Sequence, residues 1–344
     1  MKNISELRQD IVSGDWVVIA TGRGRRPHDF AKKDGDHWWN RQKKNCPFDE
    51  LIDSAFYVAL KDGDIHRPSG KTVSFLKKEW FLQVVPNKFP AFGKGICAVA
   101  RKDGPYRWED GVGFHDVVIT KKHEHSVALM STKETEVLVR AYRDRYIQLK
   151  DEDCVEYISI FHNHGPEAGA SVAHPHSQII AIPVVPPDVG RSIKGSASYF
   201  HEHKKCVHCV MIDFEMRNKK RIVYMNKEFV AFAPYASRTA FEVRIFPKLH
   251  APTFGSIHNS EITYFADALQ KVLAKLHKGL GDPSYNFFIH TSPVGHTEAL
   301  AHYHWHMEIL PKTAIWAGFE LGTGIDISSI APEKAALFLR SIKY

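Results

Sequence analysis

At 344 residues, with 44% hydrophobic and 25% charged residues, the chain has the composition of a soluble globular protein with one large domain or two smaller ones. No run approaches the ~20 apolar residues of a membrane helix, and the N-terminal Met1-Lys-Asn-Ile-Ser-Glu6 lacks a signal-peptide core, so the expected location is the cytoplasm. The net charge of +7 comes from dispersed basic residues with one cluster at Arg23-Gly-Arg25-Arg26, and without a zinc-finger or RNP-like motif this argues against a nucleic-acid partner.

In chain order, Ser13-Gly-Asp15 marks a turn and Trp16-Val-Val-Ile19 a strand. The glycine-rich loop Thr21-Gly-Arg23-Gly-Arg25-Arg26-Pro27 follows, and arginines on such a loop can clamp phosphate bidentately. Cys46-Pro-Phe-Asp49 places a thiol and a carboxylate three residues apart, a spacing that can face one metal ion. The strand Trp80-Phe-Leu-Gln-Val-Val85 is stopped by Pro86 and leads into Asn87-Lys88-Phe89-Pro90. Phe114–Thr120 reads as a strand, followed by a loop with His123 and His125. Ser131-Thr-Lys-Glu134 is a capping box that opens a helix to about Lys150. Tyr157–Phe161 is a further strand, leading through Asn163-His-Gly165 to the most informative stretch of the chain.

That stretch is Gly169-Ala-Ser171-Val-Ala-His174-Pro-His176-Ser-Gln178, followed by an apolar run. In an extended strand His174, His176 and Gln178 share a face. The small residues at Gly169, Ala170 and Ser171 let backbone N–H groups approach an anion, so the segment reads as a phosphate cradle ending in a histidine pair. A neutral imidazole is a competent nucleophile toward phosphorus near pH 7, and Gln178 can donate its amide to a phosphoryl oxygen. After Pro183 the Pro/Gly-rich segment 184–190 reads as a linker. It divides the chain into an N-terminal half, 1–188, and a C-terminal half, 189–344.

The second half repeats the first. Cys206-x-x-Cys209 answers Cys46-x-x-Asp49, and Phe229–Pro234 answers Phe81–Pro86. Phe241–Phe246 with His250 answers Phe114–Ile119 with His123 or His125, and a helix from about Ser260 to His277 answers the first long helix. Tyr285–Ile289 answers Tyr157–Phe161, and His302-Tyr-His304-Trp-His306 lies on His174-Pro-His176-Ser-Gln178 without a gap. Such a pattern calls for an α+β fold of two repeats, each an antiparallel sheet with covering helices. Cys206 and Cys209 are the only tight cysteine pair, and an odd, sparse set of five cysteines argues against a disulfide framework. Cys206-Val-His-Cys209 reads as a metal knuckle.

His174-Pro-His176-Ser-Gln178, preceded by Asn163-x-Gly165 and Gly169-Ala-Ser171, resembles the galactose-1-phosphate uridylyltransferase family of the histidine-triad superfamily. The resemblance covers nearly the whole chain, including Arg23–Pro27, Asn87–Pro90 and Gly318-Phe319-Glu320-Leu-Gly-Thr-Gly324. The Cys-x-x-Cys pair with His-x-His-Trp is similar to the branch that also contains plant ADP-glucose phosphorylase. The resemblance implies two HIT-like repeats and ping-pong nucleotidyl transfer. His176 would attack the α-phosphate of UDP-glucose, and the covalent uridylyl-histidine would pass to galactose 1-phosphate, a step of galactose metabolism. The alternative is an ADP-glucose phosphorylase or adenylyltransferase using the same histidine.

The family pattern further implies phosphate contacts from Arg23 and Arg26 and nucleotide contacts from Asn87, Lys88 and Asn163. Phe319 and Glu320 would contact the sugar. It implies one to two structural zinc ions. The first would be held by Cys46, Asp49, His125 and His174, with Asp49 standing where a cysteine is usual and His123 competing with His125. The second would be held by Cys206, Cys209, His250 and His304, with His302 and His306 as rivals. A homodimer is also implied, and a sugar nucleotide and a hexose 1-phosphate as partners.

Overall fold

The computed structural model describes residues 4–23, 46–68, 74–93, 95–97, 100–123, 125–295 and 302–343. The first half contains β1 (Glu6–Gln9), β2 (Trp16–Ile19), β3 (Tyr57–Leu60), β4 (Ile65–His66), α1 (Ser74–Glu79), β5 (Trp80–Pro86), β6 (Arg101–Asp103), β7 (Tyr106–Trp108), β8 (Phe114–Thr120), α2 (Thr132–Leu149), β9 (Tyr157–His164) and β10 (His176–Ile182). The second contains α3 (Pro187–His203), α4 (Val207–Asn218), β11 (Ile222–Met225), β12 (Phe229–Phe232), β13 (Val243–Pro247), α5 (Asn259–Leu280), β14 (Tyr285–His290), β15 (His306–Pro311), α6 (Gly318–Thr323), β16 (Asp326–Ser328) and α7 (Pro332–Ser341).

Eleven strands form one sheet in the order β11-β12-β13-β15-β14-β9-β10-β8-β5-β3-β4. Outward from the centre, β9, β10, β8, β5 and β3 of the first half correspond to β14, β15, β13, β12 and β11 of the second. The repeat is therefore real, but its two sheets are continuous. β9 and β14 pair antiparallel, with Asn286 opposite Asn163 and Phe288 opposite Phe161. Pairing these two strands satisfies backbone groups that would otherwise form exposed edges. A small sheet, β1-β2-β16, ties the chain's beginning to its end.

One face of the large sheet is covered by α2 and α5, which pack on each other. The α5 stripe Ile262, Phe265, Leu269, Val272, Leu273 and Leu276 is fully buried, as the 3.6-residue period demands. Each such side chain contributes about 1.5–3 kcal/mol of burial. The α2 start is held as expected. Ser131 Oγ accepts the Glu134 N–H at 3.2 Å, and the Glu134 carboxylate accepts the Ser131 N–H at 2.9 Å. On β10, Ile179 and Ala181 point into this core, while His176 and Gln178 point to the opposite face. On that face Val85, Val117 and Ile119 form a second, smaller cluster with Leu51, Ala55 and Trp80. The sheet thus separates the main core from the chemistry.

Two expectations are corrected here. The proline-rich segment after Pro183 is not a free linker, because Pro187 occupies the first turn of α3. Proline suits this position, since its missing N–H has no intrahelical partner there anyway. Cys97 and Cys154, which gave no sequence signal, form a disulfide with their Cα atoms 5.3 Å apart. The sheet brings the loop after β5 to the turn before β9, a proximity that spacing does not reveal.

Candidate active site

The β10 strand begins at His176, and its ring is oriented by its own chain. His176 Nδ1 lies 2.8 Å from the His174 carbonyl oxygen. A carbonyl can only accept, so Nδ1 carries the proton and Nε2 carries the lone pair. Burial lowers the His176 pKa, outweighing the hydrogen bond to His174, which raises it. The ring is therefore a neutral imidazole with the lone pair on Nε2. Phe48 stands edge-on against it at 5.2 Å between ring centroids. On the core side, Ser177 bonds His162 Nδ1 at 3.0 Å and also the Tyr142 hydroxyl, anchoring the strand beneath His176.

The preceding segment is a turn rather than an open cradle. Pro166–Ala168 forms a short 3-10 helix, ended by Gly169 at φ 81. The Gly169 N–H donates to Pro166 O and the Ala170 N–H to Gly165 O. Two of the backbone donors expected to face an anion are thus used to close the turn. Gly165 is required on two counts: its φ is 83, and a Cβ would sit 2.1 Å from Ser284 Oγ. Asn163 is held by Asn286, whose NH2 donates to Asn163 Oδ1 at 2.7 Å and to Ala168 O at 2.8 Å. Asn286 gave no sequence signal; it acts across the β9–β14 junction.

Beside this turn, His164 Nε2 and His277 Nδ1 each lie 2.9 Å from Asp282 Oδ1. Burial alone would raise the Asp282 carboxyl, but hydrogen bonds from the two histidines hold it well below the usual carboxylate range. A depressed carboxylate stabilises the fold above its unfolded pKa and loses that contribution as pH falls through the folded one. Asp282→Asn is expected to cost about 2–3 kcal/mol at pH 7, the worth of hydrogen bonds to a charged group. In thermal melts the gap from the parent protein should shrink progressively below about pH 4. A gap that stays constant into acid contradicts this role.

Two four-residue clusters of metal-ligand type flank the sheet: Cys46, Asp49, His123 and His174, and Cys206, Cys209, His250 and His304. Within each, the donor atoms all lie within 4.8 Å of one another. In the first, His174 Nδ1 is 3.2 Å from Asp49 Oδ1 and 3.6 Å from Cys46 Sγ, while its Nε2 donates to Thr120 O. In the second, His304 Nδ1 is 3.6 Å from Cys209 Sγ, and its Nε2 donates to Pro247 O at 3.0 Å. Each carbonyl fixes the tautomer that leaves a lone pair toward the cluster, the usual support of a metal-binding imidazole. The sets of four protein donors fit a closed tetrahedral site. His123, rather than His125, joins the first cluster. His125 Nε2 instead lies 3.3 Å from the Glu134 carboxylate, already fixed at the start of α2. His302 and His306 stay outside the second cluster.

The family profile described as the N-terminal domain of galactose-1-phosphate uridyl transferase matches residues 2–186. The chain belongs to the galactose-1-phosphate uridylyltransferase family. It is 34% identical to an ADP-glucose phosphorylase of Arabidopsis thaliana, over 98% of this chain and 93% of that one. It is 30% identical to a galactose-1-phosphate uridylyltransferase of Thermotoga maritima, over 97% and 98%. A crystal structure of an Arabidopsis thaliana ADP-glucose phosphorylase with bound ADP-glucose matches with a TM-score of 0.79 and 31% identity, covering 99% of this chain and 100% of that one.

Within this family fold, the second half carries a counterpart of His176, in a different register from the gapless one. His306 Nδ1 lies 3.1 Å from His304 O, as His176 lies against His174 O. His304-x-His306-x-Glu308 therefore answers His174-x-His176-x-Gln178, two residues on from the expected alignment. This counterpart is occupied by charge. Glu308 is paired with Arg238 and, at 3.0 Å, with Arg244, and His306 and His290 lie 3.4 and 3.7 Å from its carboxylate. Arg244 also bonds Asp10 and Glu242. His290, His306 and Glu308 form a third group with metal-ligand spacing. Its carboxylate is already paired with two guanidiniums, which a cation would have to displace.

The remaining expected residues lie around the sheet rather than all on His176. Arg23 ends a 3-10 turn at Thr21–Arg23, and Arg26 lies outside the described residues. Asn87 follows β5, with its NH2 3.0 Å from His115 Nε2, and the Lys88 ammonium lies over the Phe89 ring. Ser171 lies in the bend before His174. Phe319 and Glu320 are on α6, where Glu320 accepts the Ala317 N–H. Glu320 lines a cavity of ≈ 940 Å³ with Arg238, Lys312, Trp316 and Glu167, the last in the turn ahead of Gly169. No helix among the described residues is long and apolar enough to cross a membrane.

Proposed function

We infer that the protein is a nucleotidyltransferase that works by two successive displacements on His176. The observation that carries this is the His176 tautomer: with Nδ1–H committed to the His174 carbonyl, Nε2 has a lone pair on the open face of the sheet beside Gln178. In the first step Nε2 attacks the α-phosphorus of a sugar nucleotide. The P–O bond to the sugar phosphate breaks, and the sugar 1-phosphate leaves with the electron pair. In the second step a phosphate oxygen of the acceptor attacks the same phosphorus and expels the imidazole. Splitting one displacement into two retains the phosphoryl bond energy in the enzyme. The Gln178 amide supports charge developing on the phosphoryl oxygens.

The donor is UDP-glucose and the acceptor a hexose 1-phosphate in the reading supported by the family profile and the Thermotoga relative. A second reading, ADP-glucose with phosphate as acceptor, is supported by the Arabidopsis relative and its substrate-bound structure. In both, the N-terminal half, 1–188, supplies the nucleophile, and the C-terminal half, 189–344, supplies a metal knuckle and the Phe319-Glu320 segment for the sugar. Zinc suits both closed clusters, where it would hold residues 46–49 and the start of α4 against the sheet. The location is cytoplasmic and the assembly a homodimer in this reading. Either donor should show ping-pong exchange, with labelled glucose 1-phosphate entering the sugar nucleotide without acceptor present. Absence of exchange with both donors contradicts the double displacement.

A further inference from the structure

Gln178 can assist at phosphorus only with its NH2, not its carbonyl oxygen, turned toward the reacting group. A primary amide has two nearly isosteric orientations, so something must choose between them. On β8, His115 lies one diagonal step from Gln178: Gln178 is opposite Val117, and His115 is opposite Ile180. His115 Nε2 is 2.8 Å from Gln178 Oε1. The other ring nitrogen, Nδ1, receives the Ala91 backbone N–H at 3.1 Å. A backbone N–H can only donate, so Nδ1 holds the lone pair and the single proton of the neutral ring is on Nε2. Nε2–H therefore donates to Gln178 Oε1, and the NH2 of Gln178 is directed away from His115.

The same ring meets the loop that follows β5. Asn87 Oδ1 accepts the Phe89 N–H at 2.9 Å, so the Asn87 NH2, 3.0 Å from Nε2, packs against the ring edge and makes no hydrogen bond to the protonated nitrogen. The Asn87 backbone N–H in turn donates to His115 O at 2.8 Å. His115 is thus bound to this loop through the backbone N–H groups of Ala91 and Asn87 and to β10 through Gln178. The loop fixes the tautomer of the ring, and the ring fixes the orientation of the amide.

We propose that His115 is a positioning residue that holds the Gln178 amide with its NH2 toward the reacting phosphoryl group. This rests on the displacement at His176 inferred above. Two isosteric substitutions separate orientation from packing. His115→Gln retains a donor that can reach Gln178 Oε1. His115→Glu places an acceptor there and draws the NH2 of Gln178 the wrong way. The measurement is single-turnover formation of the nucleotidyl-protein adduct from UDP-glucose and from ADP-glucose, over a range of donor concentrations.

His115→Gln should keep the maximal rate within about threefold, whereas His115→Glu should lower it by about tenfold to a hundredfold, below the loss for removing a whole donor. The half-saturating donor concentration should change little in either. In a Gln178→Ala background, the same two substitutions should differ by less than about twofold, because the amide they orient is gone. Equal rates for the Gln and Glu variants, an undiminished difference in the Gln178→Ala background, or an effect confined to half-saturation would each overturn the assignment. Failure of the unsubstituted protein to form any adduct would instead overturn the His176 displacement, and the role of His115 with it.

Discussion

His176→Ala is expected to abolish nucleotidyl transfer. Loss of a covalent nucleophile costs roughly four orders of magnitude or more in rate, since every other group in the site acts only through the bond it forms. The substitution removes a half-buried ring on the open face of the sheet, away from the α2–α5 core, so the melting temperature should shift little. Intact mass after incubation with a sugar nucleotide would show a single added nucleoside monophosphate on the parent protein and none on the variant. His306→Ala is the matched control. It has the same backbone tether in the second half, but its Nε2 faces the Glu308 carboxylate held by Arg238 and Arg244, so labelling should persist. Labelling that survives His176→Ala, or is lost in His306→Ala with the fold intact, contradicts the assignment of the nucleophile.

The second large effect concerns the Cys206–Cys209 cluster. α4 starts at this pair, and its own contact with the sheet is a small group formed by Ile212, Ile222, Val230, Phe232 and Phe246. In the proposed reading, metal binding would supply much of what holds the helix in place, because binding free energy at a closed site is also folding free energy. Cys209→Ser is expected to remove about one equivalent of zinc per chain and to destabilise the protein by on the order of 4 kcal/mol, in the range of lost metal sites. Elemental analysis and denaturant titration test both parts. Unchanged zinc content, or zinc loss with no change in stability, contradicts the account. The first cluster shares His174 with the nucleophile motif, so its loss would disturb the chain immediately before His176.

Much of this architecture was legible in the sequence because it is local. The Ser131–Glu134 capping box, the alternation in β10 and the echo between Phe114–Ile119 and the strand before His250 all rest on short-range periodicity. The remaining features are contacts between strands. The continuous sheet depends on the β9–β14 pairing, and each of those strands alone reads as an ordinary half-buried strand. The two ligand ambiguities share one physical origin. His123 against His125, and His302 against His304 against His306, are alternatives two residues apart in segments outside regular strands or, for His306, at the start of one, where sequence spacing does not say which side chain reaches the cluster. The tertiary contacts make the choice: His125 is held by the Glu134 carboxylate, and the Pro247 carbonyl orients His304 toward Cys209. His115, Asn286 and the Cys97–Cys154 bond were invisible for the same reason: their partners lie on neighbouring strands or loops, many residues away in sequence.

The central claim is tested most directly by the mass of the covalent intermediate. The protein would be mixed with UDP-glucose and with ADP-glucose in turn, without acceptor, and its intact mass and modified peptide read. The account predicts one nucleoside monophosphate on the peptide containing His176, uridylyl from UDP-glucose in the first reading or adenylyl from ADP-glucose in the second. No adduct from either donor, or an adduct on any other residue, would contradict it.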